Sequence, residues 1–258
     1  YREHGTDLAQ APLEIAVCAQ HNNGGLAANA WWESTTLPRL FPVGEVNGSH
    51  GVARPGGSAL NAGQVGGFRA ADFIAHAPAR PVLDRVAAQA EADAAAARWR
   101  AWAETARLAS RTWREERCEL QTRMTAAAAQ VREPGAVAKA LAEAKAQCRR
   151  IDESGCRWGT PRELAEACRN RHLALAACAY LSAIAEALRA GVGSRGSSIA
   201  LAADGLPIDP ALGPGWRMTP ENPAFREQIL VTTPQGGGDF VHAWIPRRPI
   251  PQSDLWFE

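Results

Sequence analysis

The residues with most capacity for chemistry lie in one stretch, GEVNGSHGVARPGGSALNAGQ, residues 44–64, where Glu45, His50 and Arg54 stand among glycines. A guanidinium offers a planar fork that matches the two oxygens of a carboxylate. An imidazole can donate a charge-assisted hydrogen bond, and its charge is tunable near neutral pH. A carboxylate at Glu45 can accept hydrogen bonds from hydroxyls. Behind these groups, Gly56-Gly57-Ser58-Ala59-Leu60 enters a helical pattern. A helix N-terminus presents free backbone N–H groups and a partial positive charge. Bare glycine backbone lets a flat, electron-rich ligand come close. The same spacing also fits a tight glycine-rich turn with a solvated Glu and Arg.

These groups need elements to hold them. EIAVCAQ (14–20) and RLFPVGEV (39–46) read as short buried strands, the second ending at Gly44-Glu45. From Ala59 to His76 the apolar residues Leu60, Val65, Phe68, Ala71 and Ile74 recur at helical spacing despite Gly63, Gly66 and Gly67. Each interior glycine costs a helix about 1 kcal/mol against Ala. That cost points to close packing, against a strand or a flat ligand.

Residues 79–192 change character: alanine dominates and glycine nearly vanishes. Four helices are predicted. The first starts with Pro81 in its first turn. The second has Thr112 as N-cap with Glu115 three residues on, a capping box. The third is PGAVAKALAEAKAQCRRI, and the fourth has Thr160 as N-cap, Pro161 at the first position and Gly191 past its end. Short links between them predict an up-down bundle. Residues 193–258 form a Pro/Gly-rich region in which EQILVTT (227–233) and DFVHAWIP (239–246) predict a β-hairpin. The expected architecture is therefore α+β and mostly helical. Its three parts are residues 1–78, 79–192 and 193–258.

Other features exclude function classes. The formal net charge of +1 gives no reason to expect nucleic-acid binding. No run of about 18 apolar residues exists, so no membrane span is expected. Six cysteines, without a C-x-x-C pair, read as scattered reduced thiols; no metal site is expected, and the compartment they suggest is the cytosol. GVGSRG (191–196) formally fits a dinucleotide fingerprint but follows a helix rather than a strand, so it reads as a helix end and a turn. Trp99, Trp102 and Trp113 read as core. Arg157, Arg169 and Arg171 read as a solvated face, and His4, His76, His172 and His242 belong to no motif.

LFPVGEVNGSHGVARPGGSALNAGQVGGFRAA resembles the C-terminal part of the FAD domain in the succinate dehydrogenase/fumarate reductase flavoprotein family, which includes L-aspartate oxidase and adenylylsulfate reductase. The family pattern runs G-L-[FY]-A-x-G-E and then H-G-A-N-R-L-G-G-N-S-L. This chain has Leu40-Phe41, Gly44-Glu45, and His50-Gly51-Val52-Ala53-Arg54-Pro55-Gly56-Gly57-Ser58-Ala59-Leu60. Upstream, His21 with Gly24-Gly25 is similar to H-x-x-x-G-G. Downstream, CELQTRMTAAAAQVRE resembles an L-Q-x-x-M helix, and GSRGS an S-R-G-x-H element. The departures are Ala53 for Asn, Pro55 for Leu, and Ser58-Ala59 for Asn-Ser.

The resemblance implies a fold: the C-terminal part of a Rossmann-like FAD domain, then the bundle and the hairpin region. It implies FAD as cofactor, with Glu45 on the ribose and the helix start at Gly56, Gly57, Ser58, Ala59 and Leu60 facing the flavin. It implies that His21 and Arg54 grip a small carboxylate-bearing substrate, with His50 a further catalytic candidate. The family's N-terminal G-x-G-x-x-G unit and most of its capping domain have no counterpart here. The chain therefore reads as a fragment whose partners include the missing FAD/capping half and an iron–sulfur electron-transfer subunit. On its own, such a fragment is expected to be inactive. The competing reading is a non-catalytic helical interaction module with a remnant flavin site.

Overall fold

The structure, a computed structural model, describes residues 1–13, 23–52, 54, 56–77, 84–196 and 198–249. The chain divides into two compact units, Tyr1–Pro78 and Ala79–Glu258.

The first unit is built on one long helix, α1 (Ser58–His76), preceded by two short 3-10 turns at Gly44–Val46 and Gly48–His50. The strand expected over residues 39–46 does not form. Leu40 to Val43 are irregular and Gly44 sits at φ 80°, a conformation that ends any extended run. Among the described residues of this unit, strand pairing is reduced to isolated bridges, Leu26 parallel to Asn47 and Ala28 antiparallel to Ser34. The strand expected over 14–20 lies outside the described residues.

The second unit holds the four expected helices: α2 (Arg85–Arg107), α3 (Trp113–Ala127), α4 (Pro134–Ser154) and α5 (Pro161–Arg189). α3, α4 and α5 pack on one another, and α2 packs on α4. Thr112–Glu115 forms the expected capping box, and Thr160, the expected N-cap of α5, forms a second one with Glu163. α2 starts later than expected, with the Asp84 carboxylate accepting from the Val86 and Ala87 amides. Glu133 caps α4 in the same way, holding the amides of Gly135 and Ala136.

The core is rich in alanine and aliphatic residues: Val137, Ala144, Ile151, Ala167, Cys178 and Leu181 are buried between the helices. Trp102 lies in it and donates its indole N–H to the Ile151 carbonyl at 3.0 Å. One carboxylate is buried with this core. Glu116, 1% exposed, accepts from Arg150 Nε at 2.9 Å and Gln147 Nε2 at 2.8 Å, with Arg111 Nε at 2.8 Å. Burial alone would raise its pKa; the bonds from Arg150 and Gln147 outweigh that and hold it below the usual value.

Two small sheets complete the unit. β1 (Val131–Arg132), β2 (Ile199–Pro207) and β3 (Arg217–Met218) form one, with β1 parallel and β3 antiparallel to β2. The expected hairpin is β4 (Gln228–Gly236) against β5 (Asp239–Pro246). It is pinned to α5 by His242, whose Nε2 is 2.8 Å from Ser182 Oγ and whose Nδ1 is 3.1 Å from Thr232 Oγ1. No sequence motif includes this histidine; it is a structural clamp. Helix-rich α+β is the class that the sequence predicts. The GVGSRG stretch follows the C-cap of α5 as a turn: Gly193, at φ 76°, lies so close to the Pro220 carbonyl that a Cβ would sit 1.9 Å from its oxygen.

Candidate functional site

The candidate residues lie in the first unit, and glycine backbone sets their positions. The Leu26 amide donates to the Val46 carbonyl at 2.8 Å, and the Gly48 amide donates back to the Leu26 carbonyl at 3.2 Å. Gly25 lies so close to this turn that a Cβ would stand 2.4 Å from the Val46 oxygen. The segment after residue 22 is thereby fastened to the turn that carries Glu45. On the other side, Gly44 faces α1, where a Cβ would touch the Gly63 backbone at 3.4 Å. Glu45 is thus held between a glycine contact and the helix.

Arg54 comes back to the same place. Its Nη1 donates to the Gly56 carbonyl at 3.0 Å, and its Nη2 lies 3.8 Å from Glu45 Oε1. The Arg54 side chain is only 15% exposed, whereas that of Glu45 is 50% exposed. His50, half-buried, ends the second 3-10 turn, and Asn23 Nδ2 steadies the following loop by donating to the Val52 carbonyl at 3.3 Å. Then α1 begins. Its N-cap is Gly57, which brings no side chain to the helix start, and among the described residues nothing fills the space beside Gly56 and Gly57. Ser58 and Ala59 are half-buried there, and Leu60 is exposed.

The structure therefore brings the Arg54 guanidinium to both Glu45 and the Gly56 carbonyl, with His50 in the turn between Glu45 and Arg54 and Gly57 to Leu60 opening the helix. His21 lies outside the described residues. The donor set suits an anionic, flat group approached by backbone: a helix start with no side-chain cap, two open glycines, and a half-exposed carboxylate for hydroxyls. Those features fit the flavin end and ribose of FAD, and the first helical turn, with its positive potential, is where negative charge on a reduced flavin ring is best tolerated.

The glycines inside α1 have a different explanation. A Cβ on Gly66 would lie 2.8 Å from the Trp32 indole, so this helix turn packs on a protein side chain. Gly63 meets the Gly44 turn, and Gly67 faces open space. Sequence reasoning missed Trp32, which sits at φ 65° next to Trp31. Trp31 stacks on Phe73 at 5.7 Å and takes Arg69 over its ring at 4.9 Å. The adjacent tryptophans were the available signal. Among the described residues no group of three His, Cys, Asp or Glu is placed to hold a metal.

No protein-family model matches the chain. Over 67 residues it is 45% identical to a fumarate reductase (CoM/CoB) subunit of Methanothermobacter marburgensis; the match spans 26% of this chain and 12% of that protein. Among solved structures it is similar to the FrdA chain of E. coli quinol fumarate reductase, with a TM-score of 0.59 and 17% identity over 82% of this chain and 34% of that one. The chain resembles the C-terminal portion of a fumarate reductase/succinate dehydrogenase-type flavoprotein. It spans well under two thirds of either relative. No helix of the described residues is long and apolar enough to cross a membrane.

Proposed function

We propose that this chain is part of an FAD-dependent oxidoreductase and supplies half of its flavin contacts and part of its substrate site. The observation that carries this is the meeting of Arg54, Glu45 and Gly56 at the open start of α1. Bound FAD would supply hydride exchange at flavin N5 with a small carboxylate-bearing substrate. The chain's own residues then have distinct tasks. Glu45 accepts hydrogen bonds from the ribose hydroxyls. The amides of Ser58, Ala59 and Leu60 face the pyrimidine side of the flavin, with Gly56 and Gly57 giving backbone clearance.

Arg54 holds the substrate carboxylate. Its pair with Glu45, at 3.8 Å, is loose enough to be exchanged for a two-pronged bond to the substrate. The Gly56 carbonyl keeps the guanidinium oriented during that exchange. His21 donates to the same carboxylate, and His50 stands as a further proton-carrying group in the pocket. The FAD pyrophosphate site and the capping domain come from sequence outside these 258 residues, and an iron–sulfur subunit carries the electrons.

The test uses the complete protein that contains this chain. Arg54→Lys keeps the charge and loses the fork, so flavin content should stay while single-turnover flavin reduction or reoxidation falls by about 100-fold or more. Glu45→Ala should do the reverse, releasing flavin through loss of a charged hydrogen bond worth about 1.5–3 kcal/mol. If Arg54→Lys loses flavin while keeping its rate per bound flavin, Arg54 serves the cofactor and the assignment fails. If neither variant alters flavin or rate, the site is a remnant.

A further inference from the structure

Two buried cysteines of the second unit stand together. Cys148 on α4 and Cys178 on α5 are free thiols inside the core where these helices pack. The Cys178 thiol donates a hydrogen bond to Cys148 Sγ. Gly238 marks the same closeness from the outside. A Cβ on it would lie 3.4 Å from Cys178 Sγ and 3.7 Å from Cys148 Sγ, so one buried glycine covers both sulfurs.

That cover is the turn of the β4–β5 hairpin. Gly236, Gly237 and Gly238 follow one another at φ 96°, 60° and 83°, a run of left-handed backbone that favours glycine throughout. The hairpin grips both helices about one turn from each thiol. Lys145 on α4 pairs with Asp239 at 2.6 Å, and Ser182 on α5 pairs with His242 at 2.8 Å. The Lys145–Asp239 pair is partly exposed, and such pairs are weak and screened by salt. The turn is therefore the part of the cover that opens most easily.

The two thiols are not equivalent. The bond from Cys178 holds the Cys148 thiol below its ordinary pKa; Arg149 and Arg171 act the same way, and Asp152 opposes them. The same bond, with burial, pushes Cys178 up, although Lys145 and Arg123 lie near it. Among the described residues no third His, Cys, Asp or Glu completes a metal set here. The arrangement is that of an attacking and a resolving thiol.

We propose that Cys148 and Cys178 form a redox-active dithiol beneath the glycine turn, oxidised by a small-molecule disulfide to a bond that ties α4 to α5. Cys148 thiolate attacks one sulfur of the reagent, whose S–S bond breaks and releases one thiolate. Cys178 then gives up its proton and attacks Cys148 Sγ, and the second reagent thiolate leaves. The pair loses two electrons, the reagent gains them, and the two thiol protons go to the two released thiolates. A small dithiol reductant reverses the sequence.

The experiment incubates the folded 258-residue chain with glutathione disulfide, alkylates the remaining thiols and maps tryptic peptides by mass spectrometry. Peptide 146–149 should appear joined to peptide 172–189, while Cys118, Cys156 and Cys168 stay alkylated. Dithiothreitol should undo the link. Cys178→Ser should stop at a glutathione adduct on Cys148, and Cys148→Ser should leave Cys178 unmodified; the mapping of the natural chain stands without either variant. Asp239→Asn, which frees the turn, should speed the link roughly 2- to 5-fold, the range that loss of an exposed pair allows. Full alkylation of Cys148 and Cys178 after overnight oxidation, joining of Cys148 as often to Cys118, Cys156 or Cys168 as to Cys178, or an unchanged rate in Asp239→Asn would each overturn the proposal.

Discussion

In the first unit several large apolar side chains of the long helix face outward, with Leu60 at 77% and Phe68 at 79% exposed; in the second, Val137 and Leu181 are sealed at 0%. The first unit takes its shape from backbone meeting backbone at Gly25, Gly44 and Gly63. The second takes its shape from interlocked side chains and one buried carboxylate network. Glycine contacts place a ligand-facing loop accurately but bury little apolar area, and buried area is what stabilises a domain alone. A surface suited to close approach by a cofactor is therefore also a surface that depends on something else to cover it.

The largest expected effect is on the second unit. Glu116→Ala removes the buried anion from between Arg111, Arg150 and Gln147; the two arginines keep Glu119, but the Gln147 amide loses its buried acceptor. Breaking a buried pair from one side costs about 3–5 kcal/mol, read as a lowered denaturant midpoint at constant slope. A loss below about 1 kcal/mol would put this network on a level with surface pairs. The pH dependence has a definite sign. With its folded pKa held below the ordinary carboxylate value, Glu116 contributes fully above that ordinary value, and the contribution is lost as pH falls through the lowered one. The stability gap between the natural chain and Glu116→Gln should thus close in acid and stay constant above about pH 5.

In the first unit, Gly25→Ala should be the most damaging small change, because the Cβ would collide with the Val46 carbonyl that orients Glu45. Overpacking of this kind costs about 1–3 kcal/mol. The check is faster proteolytic cleavage within residues 23–76, with cleavage in α3–α5 unaffected. Unchanged cleavage would mean that the Leu26–Asn47 bridge does not hold the loop.

The smallest effect separates two neighbouring glycines. Gly67→Ala meets open space and should slow cleavage of α1, gaining up to about 1 kcal/mol of helix preference. Gly66→Ala gains the same preference but pushes on the Trp32 indole, so it should speed cleavage. The same sign for both would remove Trp32 as the reason for the glycine.

Much of the second unit was legible because its signals are local. Thr112 with Glu115, and Thr160 with Pro161, each state a helix start within four residues, and the hairpin strands flank a run of glycines. The Glu116 network was not legible, since its partners Gln147 and Arg150 come from another helix, more than thirty residues away. In the first unit the helix was readable from its period, but the run at 39–46 misled: its apolar residues mimic a strand, and the positive φ of Gly44 that bends it is invisible in composition. The order Glu45, His50, Arg54, Gly56 was readable through the family resemblance. The contact between Arg54 and Glu45 was not, because it depends on turns at Gly44 and Gly51 that bring back a residue nine positions later.

Hydrogen–deuterium exchange of the 258-residue chain tests the contrast between the units most directly. Amides of α1 and of the turns at Gly44–Val46 and Gly48–His50 should exchange quickly, through local opening that needs little energy. Those of α4 and α5 facing Ile151, Ala167 and Leu181 should exchange only with opening of the whole second unit, slower by orders of magnitude. Equal, slow exchange in α1 and α5 would show that the first unit is complete in itself, and would contradict the reading of its glycine-built face as a surface awaiting cofactor and further chain.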